Sequence, residues 1–354
     1  MIPEPKRLDL EEIKATDLLG VGPGEDIKGL DVGDPGWTGN KHRLKPPIGK
    51  SGYQIDCEGH KIVSPETIGL ALARRSGVTR LVGGTIVMPD WKGVGAGMEK
   101  QTPLRGDLFQ WIGGVLEGNT GKWGIHTRGF DVDLKDCTIR AILGEHGAYV
   151  ASPARFGFRV RGCTFEDQRY EAWKNVQRPW ENGGKFVRGL ILLEGNTFKN
   201  CASGVVLQGT GCNVQLKRNV FLDCDRPIAI DDGLSSIRPG GQGRYFDHVG
   251  IPEGSGAANG HVLLEEQAIE GSGELITVNE IFPLGGESAS WEHDICRSLT
   301  IRRCGLWGED AIVNIPKRHS LAFQTVANNN TDEIQAWCRS ELGMDATHEA
   351  AVYQ

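Results

Sequence analysis

The chain has 354 residues, of which 50 are glycine, about twice the usual share, while its 16 prolines are ordinary in number. No G-x-y period accompanies the glycines, which excludes collagen, and 39% hydrophobic residues with nine Trp and eleven Phe exclude a disordered chain. The formal net charge of -7 lacks the basic footprint of a general nucleic-acid binder, so no nucleic-acid partner is expected.

No run approaches the ~18 to 20 apolar residues of a membrane span, and the opening MIPEPKRLDLEEIK has no apolar signal core. The reading is therefore no membrane partner, no signal peptide, and a cytoplasmic or virion-associated location. The nine cysteines show neither CxxC nor a zinc-ligand spacing. Free, space-filling thiols are expected, with no metal and no cofactor, and no His is paired with a cysteine for nucleophilic catalysis.

In chain order, residues 1–50 read as an N-terminal cap, with a short amphipathic helix over Leu10 to Leu19 and an irregular Gly/Pro-rich run to Lys50. From Tyr53 a phrase recurs: apolar, any, apolar, any, turn residue, small or amide residue, any, apolar. Copies start at Tyr53, Thr79, Phe109, Val132, Phe158, Ile191 with one register slip, Val214, Val262 and Leu299, at intervals of 26, 30, 23, 26, 33, 23, 48 and 37 residues. A floor of 23 with insertions of variable size is what a coiled ladder of short strands produces, because each turn needs the same strands while its loops bulge freely.

A second alternating strand follows each start, at GIHTRG (Gly124), GAYVAS (Gly147), GVVLQG (Gly204), PIAIDD (Pro227) and LITVNE (Leu275). Period-two alternation points Val205, Leu207, Ile228, Ile230, Ile276 and Val278 inward. Leu134, Val160, Leu193, Leu216, Leu264 and Ile301 form one predicted core column. The sixth phrase position reads Gly84, Gly114, Cys137, Cys163, Asn196, Asn219, Gln267 and Cys304, an internal ladder of like residues. Excess length marks outward loops at about Asp90–Asp107, Gln168–Lys185, Gly233–Asn259 and Leu284–Asp294. At the far end, Asn330, Glu333 and Gly343 bracket a helix expected to plug the last coil.

The spacing, the amide column and the x-L-x-x-N-x-F phrase resemble the right-handed parallel β-helix of the pectate-lyase-like superfamily over residues 53 to 315. The implied fold class is all-β, a right-handed parallel β-helix of about nine coils, with the N-terminal cap at 1–50, the solenoid at 51–325 and a C-terminal helical cap at 326–354. The resemblance implies a protein that binds or cleaves a polysaccharide, as a glycosidase with two carboxylates or as a lyase with a charge neutraliser and a base. Asp231 and Asp232 echo the Asp pair of polygalacturonase-like enzymes, but that family's Gly-His-Gly and Arg-Ile-Lys are missing, and the pectate lyases' arginine motif is not found.

The strand starts at Pro227 and Leu275 align Asp231 with Asn279, Asp232 with Glu280, and Gln208 one coil below Asp231. Asp231, Asp232 and Glu280 are therefore the candidate catalytic residues, although Asp-Asp-Gly also reads as a simple turn. Candidate substrate contacts are His126 as base and Arg128 as uronate neutraliser, both outward on GIHTRG, with Gln208 and Tyr245. Tyr170, Trp173 and Trp180 join them as sugar-stacking aromatics of the second loop. The expected partner is a polysaccharide or other glycan. The other class open to such a chain is a non-enzymatic structural or adhesive β-helix of a phage tail or capsid, a homo-oligomer and a trimer if virion-associated.

Overall fold

Short strands with one buried apolar stripe cannot stand alone, and here they stack. Leu10–Lys14, Gly52–Asp56, Val78–Val82, Leu108–Ile112, Asp131–Lys135, Gly157–Arg161, Leu190–Glu194, Asn213–Lys217, Gly260–Glu265, Cys296–Arg302 and Ala322–Val326 make one sheet in which all neighbours are parallel. The computed structural model describes residues 8–18, 20–33, 42–45, 47–63, 68–72, 77–88, 94–99, 107–118, 123–151, 157–176, 190–208, 213–231, 260–271, 273–279, 296–307, 312–314, 322–326 and 332–342. The remaining strands form two further faces, built by the second and third strand of each coil. The chain is an all-β, right-handed parallel β-helix, the hand that parallel crossovers take.

The bend after each first strand explains the repeated phrase. Its fifth position is left-handed in every coil from Gly83 onward: Gly83, Gly113, Asp136, Gly162, Gly195, Arg218, Glu266 and Arg303 have φ between 49° and 65°. One such residue turns the chain from the first face to the second without adding length. The sixth residue then points inward. Asn219 Oδ1 accepts from the Asn196 backbone N–H at 3.0 Å and from Asn196 Nδ2 at 2.9 Å, while Asn219 Nδ2 donates to Gln267 Oε1 at 3.0 Å. The Cys163 N–H donates to Asn196 Oδ1 at 2.9 Å, and the Cys137 N–H to Cys163 Sγ at 3.4 Å. The column opens with glycine for a physical reason. A Cβ on Gly114 would lie 1.8 Å from Trp111 Nε1, because the indole fills that place and donates to Gly83 O at 2.8 Å.

The predicted core column is the observed one: Leu134, Val160, Leu193, Leu216, Leu264 and Ile301 are successive register partners, each at most 2% exposed. Ile191 pairs with Phe158 below and Val214 above, so the expected slip there is absent. Under the second face Phe165, Phe198 and Phe221 stack at 5.1 and 4.8 Å between ring centroids. The six described cysteines, Cys57, Cys137, Cys163, Cys201, Cys224 and Cys304, are buried free thiols. Outside the first face runs a polar ladder. Arg80 joins Gln54 and Gln110, and Gln110 joins Asp133, which also receives Arg159 and Arg161.

Three expectations change. Leu10–Lys14 is a strand paired with Gly52–Asp56, followed by a one-turn 3₁₀ helix at Ala15–Asp17, not an amphipathic helix. An open ladder edge offers the segment backbone partners that a short isolated helix cannot match. The second expected loop is strand as far as Val176, because Thr164–Val176 runs along the second and third faces with a bulge between Gln168 and Glu171. The C-terminal helix, Asp332–Leu342, lies on the outer side of the second face. There Leu342 and Trp337 pack on Val220, Leu222, Ala268 and Trp307. Farther down the same two outward lines stand Thr138, Thr164 and Thr197 beside Arg140, Glu166 and Lys199, so the helix sits where outward positions other than Glu270 turn apolar.

Leu216→Ala should lower unfolding free energy by about 2 to 5 kcal/mol, as a cavity in a packed column. Denaturant melts check this, and a loss well under 1 kcal/mol would mean that the column is not packed as described.

Candidate functional site

The third strands carry the outward groups that converge. In Trp123–Arg128, Ile125 and Thr127 are fully buried inward, and His126 points to the outer side one register step from Tyr149. His146–Ala151 adds His146 beside Trp123, and the next rung adds Glu171 and Lys174, with Lys174 opposite Tyr149. The rungs approach closely at their starts. A Cβ on Gly124 would lie 2.3 Å from Gly147 O, and one on Gly147 2.6 Å from Ala172 O, which is why GIHTRG and GAYVAS open on glycine.

Four rings stack across two rungs. Trp123 lies on His126 at 4.3 Å between centroids and 20°, Tyr149 is 5.5 Å from His126 and 6.1 Å from Trp123, and His146 lies on Tyr149 at 5.3 Å and 20°. His146 Nδ1 is 2.6 Å from Glu171 Oε2, and Lys174 Nζ is 3.1 Å from Glu171 Oε1. Burial alone would raise the Glu171 carboxyl. The hydrogen bond and charge of His146, followed by the charge of Lys174, outweigh it and bring the carboxyl down to about 2. Glu171 is thus ionised at neutral pH and lies against the Nδ1 side of the His146 ring. At the edge of the array the His146, Glu171 and Lys174 side chains are mostly buried, at 13%, 15% and 19% exposed.

His126 is in this array, as a 6% exposed member of the stack instead of a solvated base. Arg128 occupies the adjoining register line, between Glu99 and Ala151. Gln208, Asp231 and Asn279 are consecutive on that line, as the aligned strand starts predict, and Arg128 is four rungs from Asp231, about 19 Å. Tyr170 is 44% exposed under the Arg169 guanidinium at the bulge. Trp173 is a correction: it is fully buried, edge-on to Phe158 and Phe165 at 6.1 and 6.4 Å, and has no face for a sugar. Asp232, Glu280, Trp180 and Tyr245 lie outside the described residues.

Trp123, His146 and Tyr149 are absent from the candidates that the sequence suggests, and Glu171 and Lys174 fall in its second expected loop. The signal was present. Trp123 to His146 and His126 to Tyr149 are each 23 residues apart, the minimum period, which stacks them on neighbouring rungs. Among the described residues no group of three His, Cys, Asp or Glu is placed to hold a metal ion. Comparison of the chain with protein-family models, curated proteins and solved structures gives no match.

A carboxyl held at about 2 in the folded chain against an ordinary 4.5 contributes stability that is complete above 4.5 and lost as pH falls toward 2. Its full size is at most about 3 kcal/mol. Melting temperature measured from pH 6 to 2 should therefore fall more steeply for the wild type than for Glu171→Gln. Parallel curves would show that Glu171 is not held in this way.

Proposed function

We propose that this β-helix, of the pectate-lyase-like kind, binds an acidic polysaccharide along the outer side of its third strands and cleaves it by β-elimination. The observation that carries this reading is the array of His126, Tyr149, His146, Glu171 and Lys174 on three successive rungs. Elimination at a uronide needs a cation for the substrate carboxylate, a base for the adjacent ring proton and an acid for the departing glycosidic oxygen. Lys174 can meet the carboxylate, and His146, oriented by Glu171, can accept the proton. The Tyr149 phenol can protonate the leaving oxygen, so one C–H and one C–O bond break and one C=C bond forms.

Two alternatives each have an observation in their favour. The register Gln208, Asp231, Asn279 supports a hydrolase that uses Asp231 with Asp232 and Glu280. A non-enzymatic structural role is supported by the closure of the outward line around the array, where Ala71, Val206, Ala229 and Thr277 are at most 1% exposed.

Purified protein tested on uronate and neutral polysaccharides separates the readings. Ultraviolet-absorbing unsaturated ends are expected on a uronan, with Tyr149→Phe and His146→Gln each lowering the rate at least about a hundredfold at unchanged melting temperature. Reducing ends without that absorbance, lost in Asp231→Asn, would make the chain a hydrolase. No products on any polysaccharide would leave the structural role.

A further inference from the structure

The bend between the second and third faces is not uniform along the axis. Ile142, Gln168, Cys201 and Cys224 close the second face in successive coils, each at most 3% exposed, after left-handed Ala141, Asp167, Asn200 and Asp223 with φ of 51° to 55°. His146, Glu171, Ser203 and Arg226 then open the third face on one register line. Between the two lines the chain uses three residues in the first of these coils (Leu143, Gly144, Glu145), two in the next (Arg169, Tyr170) and one in each of the two above (Ala202, Asp225). The upper two coils show that the turn itself needs a single residue. The extra length is therefore a ledge, which stands against His146 and Glu171 and ends at Ser203.

Tyr170, on that ledge, is the exposed aromatic among the described residues, whereas Trp173 three positions on is fully buried. The Arg169 guanidinium lies 5.6 Å from the centroid of the Tyr170 ring. Arg169 is itself exposed, and among the described residues no carboxylate pairs with its guanidinium. The carboxylates nearby are placed otherwise. Asp167 Oδ1 accepts from Asn200 Nδ2 at 2.7 Å, and Glu171 is taken up by His146 and Lys174. Glu166 stands on the second face in line with Arg140 and Lys199, and Glu145 is partly buried on the coil below. With these acids present the ledge carries no surplus of positive charge, so any selection it makes rests on shape and hydrogen bonds. A bulge beside a site re-aims a side chain. This one puts Tyr170 next in sequence to the carboxylate that lies against His146.

We propose that Arg169 and Tyr170 form a subsite that holds the uronide unit next to the one cleaved at the array, with its ring stacked on Tyr170 and its carboxylate on Arg169. The proposal rests on the array reading for its substrate. A tyrosine ring offers a flat apolar surface to the C–H face of a pyranose, and a guanidinium meets a carboxylate with two parallel N–H donors. A neutral polymer would keep the stacking and lose the carboxylate contact, which makes the ledge a determinant of preference for uronan. Holding the neighbouring unit also sets which ring proton meets His146. The pair touches a unit that does not react, so its contacts are the same before and during the chemical step, and KM carries their effect.

The test is steady-state kinetics of the full chain on polygalacturonate, alginate and hyaluronate, followed by the absorbance of unsaturated ends, for wild type, Tyr170→Ala, Tyr170→Phe and Arg169→Gln. Tyr170→Ala is expected to raise KM about tenfold with kcat within about twofold of wild type, and Arg169→Gln to raise KM about fivefold. Tyr170→Phe should stay within about twofold of wild type, because the ring face and not the hydroxyl makes the contact. Both side chains are exposed, so melting temperatures should not change. In a wild type that cleaves, unchanged KM in Tyr170→Ala or Arg169→Gln, or a loss confined to kcat, would overturn the subsite and leave the array standing. A wild type that cleaves none of the three overturns the array reading instead, and mobility in gels containing each uronan or neutral dextran then decides the subsite. Retardation by a uronan and not by dextran, abolished in Tyr170→Ala, upholds the ledge as a binding site. No retardation, or equal retardation of the variant, overturns it.

Discussion

Parallel pairing at zero offset between successive coils is the constraint on which the rest of the structure depends. The first strands meet their neighbours residue for residue apart from one shift between Gly260 and His261, and a left-handed residue at the fifth phrase position carries that register into the second face. Because side chains alternate with period two, a slip of one residue would turn every core column outward. The inward leucines, the stacked phenylalanines and the Asn196, Asn219, Gln267 ladder therefore reinforce one another. The amide ladder is specific as well as stabilising, since a buried amide that misses its partner by one rung leaves donors and acceptors unpaired.

The same register sorts the polar residues outside. On the first face Gln54, Arg80, Gln110 and Asp133 bond along the axis and behave as a structural ladder. On the third face Trp123, His126, His146 and Tyr149 meet as rings, and an ionised carboxylate orients one imidazole. At the bend between the first and second faces, the buried Glu265 and Glu266 form ion pairs with Lys217, Arg218, Arg302 and Arg303 on the rungs to either side. These sets share one architectural cause, the stacking of residues a whole coil apart.

What the sequence made legible follows from what repeats. The 23-residue floor and its insertions located the first strands from Tyr53 onward, the sixth-position column and the alignment of Gln208, Asp231 and Asn279. Features without a repeating signature stayed hidden. Leu10–Lys14 is an edge strand whose pattern of two partly buried residues among exposed ones suits a helix as well. The bulge between Gln168 and Glu171 breaks the alternation that would have shown Trp173 to be a core residue. Gly343 and Asn330 mark a helix but not the face it lies on, which is set by Val220, Ala268 and Trp307 from three separate coils. The Tyr149 array was within reach through the 23-residue interval. Its partner Glu171, two positions before Trp173, was obscured by the same bulge.

The most direct test of the account is cross-linking of a register pair that lies beside the array. Gln208→Cys with Asp231→Cys joins residues that the register makes partners on adjacent rungs, close enough for a disulfide. Gln208→Cys with Ile230→Cys is the same chain slipped by one residue, with the second thiol turned to the core. After mild oxidation and peptide mapping, the first pair is expected to be linked and the second not. Linkage of the slipped pair in preference to the register pair would contradict the zero-offset stacking from which the core, the amide ladder and the candidate site all derive.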